Sequence, residues 1–219
     1  MRWIDTDATG AGTWDRQSSH YARQERLEFR AIDAAIELAA ITPPERLVDL
    51  ATGTGLFLRR LAAADGRPRV AVGVDRSPGM LERVGPLPDG WSTIRADARR
   101  TPLPDGSADV VTSMYLLQLR DPVQRGEVLA EARRLLAPGA GSRLVLVTPW
   151  ADPRRLGGLI VHVGLRLLAD LRPAALGGLR PCDPTADLVR AGFVVTRRRV
   201  LPRGGYPSLV LVATVRCSA

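Results

Sequence analysis

Short, nearly continuous apolar runs recur along the chain, each followed by a turn and then by apolar residues at helical spacing. The runs Arg46 to Leu50, Arg69 to Asp75, Ser92 to Ala96, Ala108 to Ser113 and Arg143 to Thr148 predict five strands. Helices are expected between them at about Gly55 to Ala64, Gly79 to Val84 and Pro122 to Leu136, the last opening on a proline that suits a first helical turn. Ahead of the first strand, Gln17 to Ala40 is rich in helix formers, with Leu27, Ile32, Ile36 and Ala39 near one face, until Pro43-Pro44 stops it. A short helix at Thr185 to Ala191 with Gly192 at its end precedes two last strands, Phe193 to Leu201 and Leu209 to Val215. The loop between them is long enough for a hairpin. Strand alternating with helix implies an α/β, doubly wound, seven-stranded and mostly parallel sheet with a C-terminal antiparallel hairpin and helices on both faces.

One stretch breaks this rhythm. Leu156 to Leu171 reads as an amphipathic helix with His162, Arg166 and Asp170 on one face, at i, i+4 and i+8. The organisation expected is one domain over residues 1–219. Within it lie an N-terminal arm and helix (1–45), a ligand-binding core (46–149), an insertion or lid (150–184) and a C-terminal helix and hairpin (185–219). At 219 residues and 45% hydrophobic content the chain can bury a full core.

Composition changes the picture in one place. All 31 basic residues are arginine, which a GC-rich genome explains before any function does. The net charge of +8, however, sits wholly in the last third: residues 1–142 hold 19 Arg against 19 acids, and residues 143–219 hold 12 Arg against 4. Such a face favours an anionic substrate or a phospholipid surface; a solvated arginine-rich surface is the simpler reading. Cys182 and Cys217 have neither metal nor redox spacing, so no metal site is expected. With no secretory start and no apolar run of about 18 residues, a cytoplasmic protein is expected.

Candidate chemistry centres on Leu47 to Phe57, L-V-D-L-A-T-G-T-G-L-F. An apolar strand passes into a turn with two glycines one residue apart and then into a helix. Glycine there tolerates positive φ and lets a ligand approach the backbone, and the free N–H groups of the helix start attract polar or anionic groups. Asp75 follows Gly55 by 20 residues, the distance at which a βαβ unit brings a carboxylate to a ribose. Asp49, Asp75 and Asp97 all fall at or near the ends of successive strands, where open α/β sheets bind ligands.

The order V-D-L-A-T-G-T-G (48–55), V-G-V-D (72–75), I-R-A-D-A (94–98), L-P-D-G-S-A-D-V-V (103–111) and L-L-A-P-G (135–139) resembles the class I S-adenosylmethionine-dependent methyltransferases. It is similar above all to their small-molecule branch, which includes ubiquinone and menaquinone methyltransferases. The resemblance covers about Arg46 to Leu146 and the terminal hairpin, and implies a Rossmann-like fold and S-adenosyl-L-methionine as cofactor. It implies further that Ala51, Gly53 and Gly55 line the methionine and ribose end with Asp49 near the ammonium. Asp75 would accept the ribose hydroxyls, Arg76 and Met80 would flank adenine, Asp97 would accept from its amino group, and the Ala98 backbone would read the ring. Ser113 and Met114 would lie beside the methionyl portion. The chain departs from the pattern at Ala51, where a glycine is usual, and at Leu117 and Gln118, where relatives often carry a histidine pair.

The reaction implied is methyl transfer to a small, hydrophobic or anionic acceptor at O, N or C. Because the departure removes the histidine pair, His20 and His162 are the candidate catalytic bases. Trp14, Tyr21, Tyr115 and Gln118 are the candidate acceptor contacts. Four rivals are weighed. An NAD-dependent oxidoreductase would want the third glycine of G-x-G-x-x-G. A nucleic-acid methyltransferase is not expected, because no Asn/Asp-Pro-Pro-Tyr/Phe motif occurs and aromatic content is 5%. A phospholipid-modifying enzyme would use the 156–171 helix for peripheral membrane contact, and a non-catalytic module would only bind the cofactor. A homodimer is compatible with all of these.

Overall fold

The computed structural model describes residues 21–139, 141–150, 163–164, 180–202 and 205–216. In chain order these form α1 (Tyr21–Ala39), β1 (Arg46–Leu50), α2 (Leu56–Ala62), β2 (Val70–Asp75), α3 (Pro78–Leu81) and β3 (Trp91–Arg95). There follow β4 (Val110–Met114), a single 3₁₀ turn (Leu117–Leu119), α4 (Pro122–Leu135), β5 (Arg143–Pro149), α5 (Thr185–Arg190), β6 (Phe193–Leu201) and β7 (Ser208–Val215). The strands make one seven-stranded sheet in the order β3-β2-β1-β4-β5-β7-β6. The first five run parallel and β7 pairs antiparallel with both β5 and β6.

Neighbouring residues on a strand point to opposite faces, so a strand covered on both sides must be apolar throughout. In β1, Leu47 joins the core under α1 and α2, whereas Val48 joins the core under α4 and α5. Val110 and Val111 in β4 divide the same way, as do Val145 and Leu146 in β5. Local chemistry sets the helix starts. The Asp121 carboxylate accepts from the N–H groups of Val123 and Gln124 with Pro122 as first helical residue, and Ser77 Oγ accepts from Met80 N ahead of Pro78-led α3.

Strand four begins at Val110 rather than at Ala108. The Ala108 backbone instead bonds the end of α4, its N–H to Leu135 O and its carbonyl to Ala137 N. The insertion expected at 150–184 falls almost wholly outside the described residues, as do His20, His162 and Trp14. Tyr21 opens α1, and its side chain is also outside them.

Candidate active site

The sheet order reverses at β1. Beyond β3 the chain crosses to the other side of β1 to form β4, so the loops leaving β1 and β4 part and open a crevice at their carboxyl ends. Such a switch point is where an open α/β sheet holds a ligand. A cleft of about 660 Å³, its open mouth included, lies there. Ala51 and Gly53 after β1, Asp75 and Arg76 after β2, Met80 from α3 and Ala98 after β3 form one part of its wall. Met114, Tyr115, Leu116, Leu119 and Arg120 at and after β4 form the rest.

The glycine turn is shaped by three residues in left-handed backbone conformations: Ala51 at φ 59°, Gly53 at 57° and Gly55 at 76°. Their tasks differ. A Cβ on Gly53 would meet no atom within 4 Å, so the missing side chain leaves room in the cleft for a ligand against the backbone. At Gly55 a Cβ would come within 2.7 Å of Val84 Cγ1, so this glycine serves packing and does not line the cleft. Ala51 holds the left-handed form with a methyl group, at a cost of about 1 kcal/mol. Ala51→Gly is therefore expected to leave the thermal midpoint unchanged or raise it slightly, the relief being offset by about 0.5–1 kcal/mol of added chain entropy. A midpoint several degrees lower would show that the methyl group contributes packing that outweighs the strain.

Asp75 closes the turn from the next strand. Its Oδ2 accepts from Gly53 N at 2.8 Å and its Oδ1 from Ser77 N at 2.9 Å. Burial pushes this carboxyl up from its ordinary value against the opposing pull of those N–H groups. Each oxygen keeps lone-pair capacity for a further donor, so the residue presents a pinned, two-oxygen acceptor to the cleft.

Asp49 lies beneath the turn rather than in the cleft wall. It is 1% exposed, and Thr52 Oγ1 and Thr112 Oγ1 donate to its two oxygens at 2.6 and 2.7 Å. Burial pushes its carboxyl up to about 6, the two hydroxyls pull it down, and the Asp75 charge raises it further. Asp97 stands two residues beyond β3 and is engaged by its neighbour: Arg99 donates through Nε at 3.1 Å and Nη2 at 2.8 Å, and through its backbone N at 2.9 Å. Burial pushes Asp97 up, yet the Arg99 bonds and the charges of Arg99 and Arg120 leave it below its usual range. Ser113 is also turned inward, its hydroxyl donating to Leu50 O at 3.0 Å and tying β4 to β1.

Of the acceptor candidates, Tyr115 lines the cleft but its phenol is directed to Ser208 Oγ at 2.7 Å, in the core between α1 and the sheet. Burial, then the Glu28 charge, push that phenol up. Tyr115 is itself left-handed at φ 55°, a strained form for a bulky residue. Gln118 Nε2 donates to the Tyr115 carbonyl at 2.6 Å and so braces that conformation. Its Oε1 is buried and has no hydrogen-bond partner among the described residues.

Two features escape a reading of the sequence. Glu25 of α1 accepts from Thr54 Oγ1 at 2.6 Å and from Arg59 at 2.9 Å, bracing the glycine turn from outside the motif. Arg120, 6% exposed, lines the cleft from the loop after β4. Its only linear signal is a charged residue ending the otherwise apolar run Leu116-Leu117-Gln118-Leu119 just ahead of a helix.

Comparison with known proteins places this geometry in context. Residues 47–139 match the methyltransferase domain family. A demethylmenaquinone methyltransferase of Thermus thermophilus is 36% identical over 143 residues, covering 63% of this chain and 60% of that protein. A malonyl-[acyl-carrier protein] O-methyltransferase of Methylococcus capsulatus is 34% identical over 182 residues, covering 77% of this chain and 59% of that protein. The chain thus spans less than two thirds of the length of these relatives. Among solved structures, a methyltransferase of Haloferax volcanii in complex with the Trm112 methyltransferase activator superposes with a TM-score of 0.70 at 20% identity, covering 93% of this chain and 98% of the other. An S-adenosylmethionine-dependent methyltransferase of Aquifex aeolicus gives 0.63 at 16% identity over 91% and 97%.

Proposed function

We propose that this chain, whose residues 47–139 match the methyltransferase domain family, is an enzyme that transfers a methyl group from S-adenosylmethionine to a small hydrophobic or anionic acceptor. The observation that carries the proposal is Asp75, pinned by two backbone N–H groups at the carboxyl end of β2 and lining a cleft together with the glycine turn it is bonded to. The residues suit the cofactor chemically. A carboxylate with free acceptor capacity matches a ribose diol, and the open space at Gly53 admits a ligand against the backbone. Met80 and Ala98 offer apolar contact to a purine, and Met114 lies at the end of β4 where the methionyl portion is proposed to run.

Bound S-adenosylmethionine supplies an electrophilic methyl group with its leaving group built in. What this chain must do is hold donor and acceptor in line, and positioning of that kind contributes about 7–11 kcal/mol. The strained Tyr115, fixed by its buried ring and by Gln118, shapes the wall where the acceptor is proposed to enter. Gln118 itself is enclosed, so its proposed part is to hold Tyr115 rather than to reach the acceptor directly. For an acceptor that must lose a proton, His20 and His162 stay the proposed bases, and Trp14 and Tyr21 the proposed contacts.

The membrane-surface alternative loses part of its motivation. Arg197, Arg198 and Arg199 of β6, central to the basic last third, donate to Leu38 O, Asp183 and Glu37 respectively. Among the described residues no helix is long and apolar enough to cross a membrane. A cytoplasmic site of action and a small-molecule partner belong to the same proposal.

Calorimetry with S-adenosylhomocysteine and with NAD tests the donor. Binding of S-adenosylhomocysteine in the micromolar range, about −8 kcal/mol, is expected, with no heat from NAD. The reverse pattern would replace a methyltransferase with an oxidoreductase. Incubation of the protein and labelled donor with cell extract then identifies the acceptor by its label.

A further inference from the structure

Ser208 is the one polar residue among the six buried residues that open β7, and it is fully enclosed. A hydroxyl in such a place costs stability unless it is bonded, and this one makes two bonds. Its Oγ donates to Tyr206 O at 2.8 Å and lies 2.7 Å from the phenol oxygen of Tyr115. A serine has one hydroxyl proton and the Tyr206 carbonyl can only accept, so that proton is committed. The phenol is therefore the donor in the second bond. Burial raises the phenol above its ordinary pKa, so it keeps this proton throughout the ordinary pH range.

The bond reaches the cleft through the backbone of Tyr115. At φ 55° this residue holds a form that a bulky side chain keeps only where its surroundings impose it. Three contacts do so. Its N–H bonds Val147 O at 2.8 Å, its carbonyl accepts from Gln118 Nε2 at 2.6 Å, and its phenol is held by Ser208. The first two fix the peptide groups on either side, and the third fixes the ring. Because this dihedral sets the course of the chain as it leaves β4, it carries Leu116 and Leu119 into the cleft wall along with Tyr115 itself. Ser208 is anchored in turn on α1. The N–H of Tyr206 bonds Leu27 O at 3.0 Å, and a Cβ on the adjoining Gly205 would overlap that same carbonyl.

Resting on the donor-site reading above, we propose that Ser208 is a positioning residue for the donor: by accepting from Tyr115 it keeps the loop after β4 on the course that fits the ligand. It acts without touching the ligand, since Ser208 is not among the residues that line the cleft. Tyr115 lines the same cleft as Asp75, so a relaxed backbone at Tyr115 withdraws wall from the donor even where Asp75 has not moved.

The test is a double-mutant cycle on the full chain, read as calorimetric affinity for S-adenosylhomocysteine well below the thermal midpoint of each variant. Ser208→Ala leaves the phenol without its acceptor, and Tyr115→Phe removes the donor while keeping the ring. Each is expected to weaken binding about five- to tenfold, because a wall that spends only part of its time in the binding form lowers the apparent affinity in proportion. In the Tyr115→Phe background, Ser208→Ala is expected to cost no more than about twofold further. Lower midpoints with unchanged affinities overturn the inference, since Ser208 then serves the fold alone. Losses that multiply in the double variant also overturn it, because Ser208 would then act by a route other than the phenol. Should Ser208→Ala not fold, Tyr115→Phe, which deletes a single oxygen, decides alone: wild-type affinity overturns the inference and the stated loss supports it. If the wild-type chain binds no S-adenosylhomocysteine, it is the donor-site reading that fails, and the inference falls with it.

Discussion

Asp75→Ala is expected to weaken S-adenosylhomocysteine binding by about 10²–10⁴-fold. Each hydrogen bond to a charged group contributes about 1.5–3 kcal/mol, and two ribose hydroxyls sharing one carboxylate give about 3–6 kcal/mol in all. The carboxylate is pre-positioned by Gly53 N and Ser77 N, so the ligand has no side chain to order when it binds. Asp75→Asn is expected to do little better. Its amide has one acceptor oxygen where the site uses two, and its NH₂ would face a backbone N–H, donor against donor. Circular dichroism would establish that both variants fold, and calorimetry would read the affinity. A folded Asp75→Ala variant within threefold of wild type would show that the carboxylate does not meet the ligand.

The second large effect is on stability and comes from Asp49. Its carboxyl is raised from 3.8 to about 6 by full burial, despite the hydroxyls of Thr52 and Thr112. Below about pH 4 it is protonated in folded and unfolded chains alike. Between there and about 6 the unfolded chain releases this proton while the folded chain keeps it, so stability falls as pH rises across that window. Above it the ionised group leaves the fold less stable by about 3 kcal/mol. Asp49→Asn removes the charge and keeps the shape, and hydroxyls that now donate can turn to accept. The variant is expected to match wild type near pH 4 and to exceed it by up to about 3 kcal/mol at pH 8, roughly 2–4 °C in midpoint for each kcal/mol. Denaturant titrations from pH 4 to 8 check this; parallel curves would mean that Asp49 ionises in the fold as it does in water. A buried charge kept at such a cost is expected to serve the ligand, by attracting a cationic group to the turn above it. Affinity for S-adenosylhomocysteine should accordingly fall in the same variant as its stability rises.

Much of this architecture was legible in the linear pattern because it depends on local chemistry. A strand covered on both faces must read as an apolar run, and Val70–Asp75 and Arg143–Pro149 do. Pro122 behind the capping Asp121 announces α4 to within a residue. The glycine turn and Asp75 were legible for the same reason, since a left-handed backbone and a strand-end acid leave marks at fixed spacing. Even the exception at Ala51 takes the glycine-like conformation that its place in the turn demands, because the surrounding structure imposes it.

Other features had no local mark. That two strands form a terminal hairpin follows from their sequence, but which of them joins the parallel sheet does not follow from pairing alone. β7 takes the inner place because it is buried along nearly its whole length, whereas β6, carrying three successive arginines, accepts the edge and ties those arginines to Leu38, Asp183 and Glu37. The side-chain directions at the site are likewise long-range facts. Ser113 turns to Leu50 and Tyr115 to Ser208, 63 and 93 residues away, and neither choice is visible in the residues beside them.

By itself, then, the sequence determined the order and type of the elements, the glycine turn and the strand-end acid that follows it at a fixed spacing, since each is written in local residue patterns. Only the tertiary structure decided which of the three strand-end acids faces the cleft, that Asp49 is sealed beneath the turn, and that Arg120 is carried into the wall. Those outcomes depend on how β1, β3 and β4 come together across long stretches of chain, where packing and desolvation, rather than spacing, choose what each side chain meets.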